Sequence, residues 1–153
     1  MPKQSAGILL YRKFNDVLQI FLVHPGGPFW KNKDDGAWSI PKGEYESDED
    51  PLAAAKREFY EETGQSIDGE FIALKPIKQK SGKIVQAYLV EGDIDAHNIK
   101  SNLFEIEWPP KTSKMQSFPE VDRAGWFTVD EARVKINVGH VGLVEQLMQV
   151  VNK

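Results

Sequence analysis

The segment from Gly43 to Gly64 constrains this chain more than any other part. It holds Glu44, Glu46, Asp48, Glu49, Asp50, Glu58, Glu61 and Glu62 against only Lys56 and Arg57, a net −6 in 22 residues. Helical punctuation runs through it: Asp50 suits an N-cap, Pro51 the first helical position and Gly64 the residue just past the end. Leu52, Ala55 and Phe59 then fall at helical spacing, facing a core. Glu58, Glu61 and Glu62 sit at i, i+3 and i+4 and share another face. Like charges at that spacing destabilise a helix by roughly 0.2–0.5 kcal/mol per pair. Anions in a last turn also oppose the helix dipole. Only Arg57, four residues before Glu61, is placed to relieve them. A solvated acidic face is the plain reading of such a cluster. A hard divalent cation held between the carboxylates is the other, and it reverses the electrostatics.

Composition narrows the choice. The other 131 residues carry 15 acids and 17 bases, so the chain is nearly neutral outside the acidic segment and offers no basic face for duplex nucleic acid. With no cysteine there is no disulfide, thiol nucleophile or thiolate metal site. Histidine occurs only at His24, His97 and His140, which gives a softer metal little to bind. A hard cation such as magnesium, which prefers oxygen ligands and joins carboxylates to phosphates, is therefore a better inference than zinc. At 153 residues one domain spanning 1–153 is expected, large enough for a core without staples. The longest nearly apolar stretch, residues 17–23, is too short to span a bilayer, and the N-terminus does not read as a secretory signal. A cytoplasmic protein with no membrane partner is the expectation.

Patterning predicts an α/β chain. Residues 7–12 and 17–23 read as strands joined by a hairpin turn over 13–16, followed by a loop to Gly36 and a short strand over 37–40. Beyond the helix, residues 71–79, 84–90 and 123–128 read as strands. Thr128 to Glu131 is a capping-box pattern that opens a short helix. A last helix over about 142–151 buries Leu143, Val144, Leu147 and Val150 or Val151. Residues 93–117, with Trp108-Pro109-Pro110 among them, show no regular pattern and read as a substrate-facing loop.

Gly43, Glu49, Arg57, Glu58, Glu61, Glu62 and Gly64, with apolar Phe59, stand at the spacing of a known signature, and the pattern resembles the box of the Nudix hydrolases. The residue after the final glycine, normally aliphatic in that family, is Gln65, and Ile67 is expected to take over its packing role. The resemblance implies a mixed sheet sandwiched between helices, a Nudix box at 43–65, and metal-assisted hydrolysis of a phosphoanhydride in a nucleoside diphosphate linked to another group. By position it implies Glu58, Glu61 and Glu62 as metal ligands, with the Gly43 carbonyl as a fourth. Arg57 would orient the glutamates and Glu49 would tie the loop to the helix. The proton acceptor would be Glu61 or a glutamate on a later loop, for which Glu120 in Phe118-Pro119-Glu120 is the candidate, ahead of Glu105 and Glu107. The Pro41-Lys42-Gly43 run resembles Nudix enzymes that cleave dinucleoside polyphosphates and diphosphoinositol polyphosphates. Lys42 is thus expected at a substrate phosphate. Separately, Lys78, Lys80 and Lys83 read as a basic run on a sheet edge, which either adds positive charge for the substrate, with Lys80 as the candidate, or blocks edge-to-edge pairing. Residues 101–110 and 126–127 look similar to a bacterial group of nucleoside-triphosphate pyrophosphohydrolases, which favours a nucleotide substrate. Triphosphate or nucleotide-sugar cleavage is the alternative within the family, and a non-catalytic nucleotide-binding module the alternative outside catalysis. Family precedent implies a monomer or homodimer.

Overall fold

In the computed structural model, which describes residues 3–151, the first two apolar runs pair as an antiparallel hairpin of β1 (Gln4–Phe14) and β2 (Val17–Pro25). The turn residues Asn15 and Asp16 take φ of 53° and 65°, left-handed values that suit a twisted hairpin and that Asn and Asp tolerate. Side chains alternate along both strands. Ala6, Ile8, Leu10, Phe21 and Val23 enter one core, while Leu9, Ile20 and Leu22 enter another. Because both faces are covered, the strands read as almost unbroken apolar runs.

The chain continues through β3 (Lys42–Glu44), α1 (Pro51–Thr63), β4 (Ile72–Ala73), β5 (Ile77–Lys78), β6 (Ile84–Glu91), β7 (Leu103–Glu107) and β8 (Met115–Pro119). It ends in β9 (Val121–Thr128), α2 (Val129–Lys135), a 3-10 turn at Val138–His140 and α3 (Val141–Val151). The main sheet has 7 strands in the order β4-β6-β1-β2-β9, with β3 added on β1 and β5 on β6. The β1–β6 pair is parallel and the others antiparallel, so the sheet is mixed. Helix α1 covers one face through Ala54, Ala55 and Phe59, and α2 and α3 cover the other through Ala132, Leu143, Val144 and Leu147. This is the α/β/α sandwich expected from the sequence. Among the described residues no helix is long and apolar enough to cross a membrane.

Four local expectations need correction. Residues 37–40 form isolated bridges, Ser39 with Val23 and Trp38 with Ile136, and the strand lies further on at β3. The run 71–79 is two strands of two residues each, separated by a segment containing Pro76, which has no N–H for the ladder. Leu52 is only half-buried, and Ala54 joins Ala55 and Phe59 in the core instead. Within the supposedly irregular 93–117, β7 and β8 pair as a separate two-stranded ribbon with Phe104 opposite Phe118. Only Phe104 and Ile106 of β7 are half-buried, and exposed Leu103 breaks the alternation that Glu105 and Glu107 would otherwise show, so the ribbon carries a faint signal.

Candidate active site

Helix α1 is delimited by its caps. The Asp50 side chain accepts the Ala53 N–H at 3.0 Å, and Gly64 closes the far end at φ 74° with its N–H donated to Tyr60 O at 2.7 Å. A Cβ on Gly64 would stand 2.8 Å from Lys100 O. In the last two turns Glu58 and Glu62 face inward, and a third carboxylate reaches them from the bend between β8 and β9. Glu58, Glu62 and Glu120 each present an oxygen within 4.8 Å of the other two.

Burial makes this trio unfavourable for anions. Glu62 is buried, and loss of solvation raises its carboxyl to about 8, against the pull of Lys42 and with added repulsion from Glu58 and Glu120. Burial also raises Glu58 above the usual carboxylate range, with repulsion from Glu61 adding to it. Glu120 is raised by burial first and then by Glu58 and Glu61. All the donors are hard oxygens, and their mutual repulsion is relieved by a divalent cation, so the set fits magnesium or manganese. A Cβ on Gly43 would fall 2.2 Å from the Glu58 carboxyl carbon. Only glycine lets that carboxylate lie against the β3 backbone.

Arg57 spans the box. It donates to Glu49 and, at 3.3 Å, to Glu58, and its Nε stands 3.9 Å from a Glu61 oxygen. The Glu61 carboxylate therefore lies on Arg57, outside the trio. Lys42 is set among carboxylates and bases. Burial lowers its ammonium, Lys83 lowers it further, and Glu62, Glu44 and Glu58 oppose the shift. Lys80 is exposed in the turn between β5 and β6, whereas Lys83 reaches Glu44 at 3.8 Å. Sequence reading did not single out Lys83 over Lys80. Nor did it find His140, which burial, then Lys42 and Lys83, push down to about 4, and whose Nε2 is 3.0 Å from Gln79 Nε2. No motif surrounds His140; only the packing of α3 onto the sheet brings it there.

Glu120 is fixed from several sides. Its N–H donates to Asn102 O at 2.8 Å, its carbonyl accepts the Gly26 N–H at 2.9 Å, and Asn102 in turn donates to Glu61 O at 2.8 Å. A Cβ on Gly26 would collide with Pro119 O at 1.9 Å, so glycine is required at this approach. Beneath, the fully buried His24 ring lies 2.8 Å from Asp122 and 2.7 Å from Lys33 O. That joins the 26–36 loop to the start of β9.

The fold and this acidic centre can be set beside known proteins. The chain matches the family model described as the NUDIX domain over residues 1–147. It therefore belongs to the Nudix family, hydrolases acting on acid anhydrides that generally use divalent metals. Among solved structures it is similar to the NUDIX domain of Shewanella oneidensis NrtR complexed with ADP ribose, with a TM-score of 0.69 and 16% identity, covering 99% of this chain and 89% of that one. It is also similar to a C. elegans Ap4A hydrolase, with a TM-score of 0.65 and 19% identity over 97% of this chain and 98% of that one. A mutT/nudix family protein from Listeria innocua gives a TM-score of 0.65 at 18% identity over 99% and 96%. No curated protein sequence matches the chain.

Proposed function

We propose that this pyrophosphohydrolase cleaves a phosphoanhydride bond in nucleoside polyphosphates, dinucleoside ones included, with magnesium as its cation. The carrying observation is the convergence of Glu58, Glu62 and Glu120 within 4.8 Å at a partly buried point where each carboxyl is raised. Those three side chains and the Gly43 carbonyl would hold the cation. When bound, a divalent cation supplies charge neutralisation for the phosphates and a lowered pKa for water. The ADP ribose bound by the Shewanella domain and the Ap4A named for the C. elegans enzyme support a nucleotide as the substrate class.

The chain's own groups do the rest. Lys42 meets a phosphate oxygen as a point charge from the strand that bears Gly43. Arg57 holds Glu58 and Glu61 in fixed rotamers and, through Glu49, ties the loop after β3 to α1. With one oxygen given to the cation, half-buried Glu120, raised by burial, keeps its other oxygen to accept the proton of the attacking water as oxygen adds to phosphorus and the leaving phosphate departs in line. Glu61, outside the trio, is the second proton acceptor to test. A panel of Ap4A, ATP, ADP-ribose and a nucleotide sugar, with Mg²⁺ and then with EDTA, tests this reading on wild type, Glu120→Gln and Glu61→Gln. Cation-dependent hydrolysis of a nucleotide, reduced roughly 10²–10⁴-fold in Glu120→Gln, is expected. No turnover of any member by wild type contradicts it.

A further inference from the structure

The 26–36 loop and the β7–β8 ribbon carry a group of aromatic rings that the chemistry of phosphate cleavage does not use. Phe29 is 57% exposed and Trp30 38% exposed on the 26–36 loop, a large apolar surface to leave in water. The Phe29 ring meets Trp108, at the tip of the β7–β8 ribbon, with centroids 5.2 Å apart and planes at 73°. The two rings thus form an open corner: a flat group entering it lies on one ring and meets the other edge-on. Behind the corner Phe104 and Phe118 pack across the ribbon at 6.2 Å, and a Cβ on Gly27 would be 2.9 Å from the Phe104 ring. The wall is therefore seated on the loop, not detached from it.

Two observations say what belongs in the corner. First, the loop and the ribbon that form it both lead back to Glu120. Phe118 precedes Glu120 by two residues, about 7 Å of strand, and the 26–36 loop is hydrogen-bonded to Glu120 through Gly26 at 2.9 Å. Phe29 follows Gly26 by three residues, a span of roughly 10 Å at most. Second, the corner is framed by cations. Lys31 and Lys33 lie on the loop and Lys111 and Lys114 on the ribbon tip, all exposed, and none forms an ion pair among the described residues. Lys33 Nζ stands 5.1 Å over the Trp30 ring. The acids nearby are Asp34 and Asp35 on the loop, engaged by Lys135 at 2.7 and 3.2 Å, and exposed Glu105 and Glu107 on β7, so with Lys135 the five lysines exceed the four acids by one. An aromatic corner with surplus positive charge suits a flat π ring attached to an anion.

We infer that the Phe29–Trp108 corner is the nucleobase site of this hydrolase, where the base stacks while its phosphates extend along β8 to Glu120. This rests on the nucleotide reading above and deepens it. Stacking on a ring face tolerates any base, because every base has a π face. The enzyme therefore accepts purine and pyrimidine nucleotides of the same phosphate length, and it favours them over polyphosphates that carry no base.

Calorimetric binding of ADP and of inorganic pyrophosphate, with Ca²⁺ present to prevent turnover, tests the inference on wild type, Phe29→Ala, Trp108→Ala and Phe29→Tyr. The expected result is that either alanine weakens ADP binding about 5- to 150-fold, leaves pyrophosphate within two-fold, and that Phe29→Tyr restores ADP binding. Equal weakening of both ligands, or no weakening of ADP, overturns the base site. Hydrolysis of inorganic tripolyphosphate by the same wild-type preparation separates the two conclusions. If wild type cleaves it and neither alanine affects ADP, the base site fails and the hydrolase reading stands. If wild type cleaves neither tripolyphosphate nor any nucleotide, the hydrolase reading fails with it.

Discussion

The two walls of the candidate site are built on opposite principles. On one side α1 and β3 hold Glu58, Glu62 and Gly43 in a buried, closely hydrogen-bonded frame, where a single added methyl at Gly43 would strike a carboxylate. On the other, the 26–36 loop and the β7–β8 ribbon present exposed rings and lysines, joined to the frame chiefly through Gly26, Asn102 and Glu120. The first wall concentrates repelling charge and gains function only with a cation and an anionic substrate. The second disperses charge and relies on contact area. Chemistry needs atoms fixed to fractions of an ångström, whereas selecting a base needs a surface that tolerates some play. Glu120 belongs to both walls, so under the proposed function it is the point where substrate choice would meet catalysis.

Substitutions that break the first wall should cost most. Glu62→Gln is expected to lower turnover roughly 10³-fold. It should also raise the melting temperature of the metal-free protein near neutral pH, because folding no longer has to protonate a carboxyl that is ionised in the unfolded chain. Loss of both activity and stability would point to a merely structural glutamate. Next comes Gly43→Ala, whose methyl displaces the Glu58 carboxylate and should lower kcat about 10²-fold while the circular dichroism spectrum is unchanged.

The same contrast predicts a pH dependence. Folded Glu62 has its carboxyl near 8 against an ordinary 4.5, so between those values the folded state binds more protons than the unfolded chain. Stability of the metal-free protein should therefore fall as pH rises from 4.5 through about 8, and saturating Mg²⁺ should remove most of that fall. Thermal melts across this range, with EDTA and with Mg²⁺, measure it. A smaller effect is expected at the phosphate contact, where Lys42→Ala should raise KM roughly 10-fold. Least of all, Lys80→Ala should stay within about two-fold of wild type, since that side chain is exposed in a turn. A KM change at Lys80 equal to that at Lys42 would mean that the substrate runs along the β5–β6 edge instead.

The first wall was legible in the sequence because its constraints are local. N-cap, first-turn proline, αL glycine and three glutamates at helical spacing all act within one helix, so spacing alone carries them. The sandwich was legible for a similar reason, since β1 and β2 bury both faces and so display their period. The second wall was not. Phe104 and Phe118 meet only through a cross-strand pairing, and Phe29 meets Trp108 only through a contact 79 positions apart in the chain. Lys83 and His140 gather near Lys42 through the packing of β6 and α3, which no short window of residues encodes. Gln65, a departure from the family pattern, uses its amide to hold Asp95 O at 3.0 Å and Asn98 O at 3.2 Å, while Ile67 packs against the core.

The central claim is that Glu58, Glu62 and Glu120 together form a cation site that is partly protonated when empty. Isothermal titration with Mg²⁺ at pH 7, repeated in buffers of different ionisation enthalpy, measures the protons displaced on binding. Release of about one proton in wild type, lost in Glu62→Gln together with most of the affinity, is expected. Mg²⁺ binding without proton release, or undiminished binding in Glu62→Gln, would show that the carboxylate trio is not the cation site.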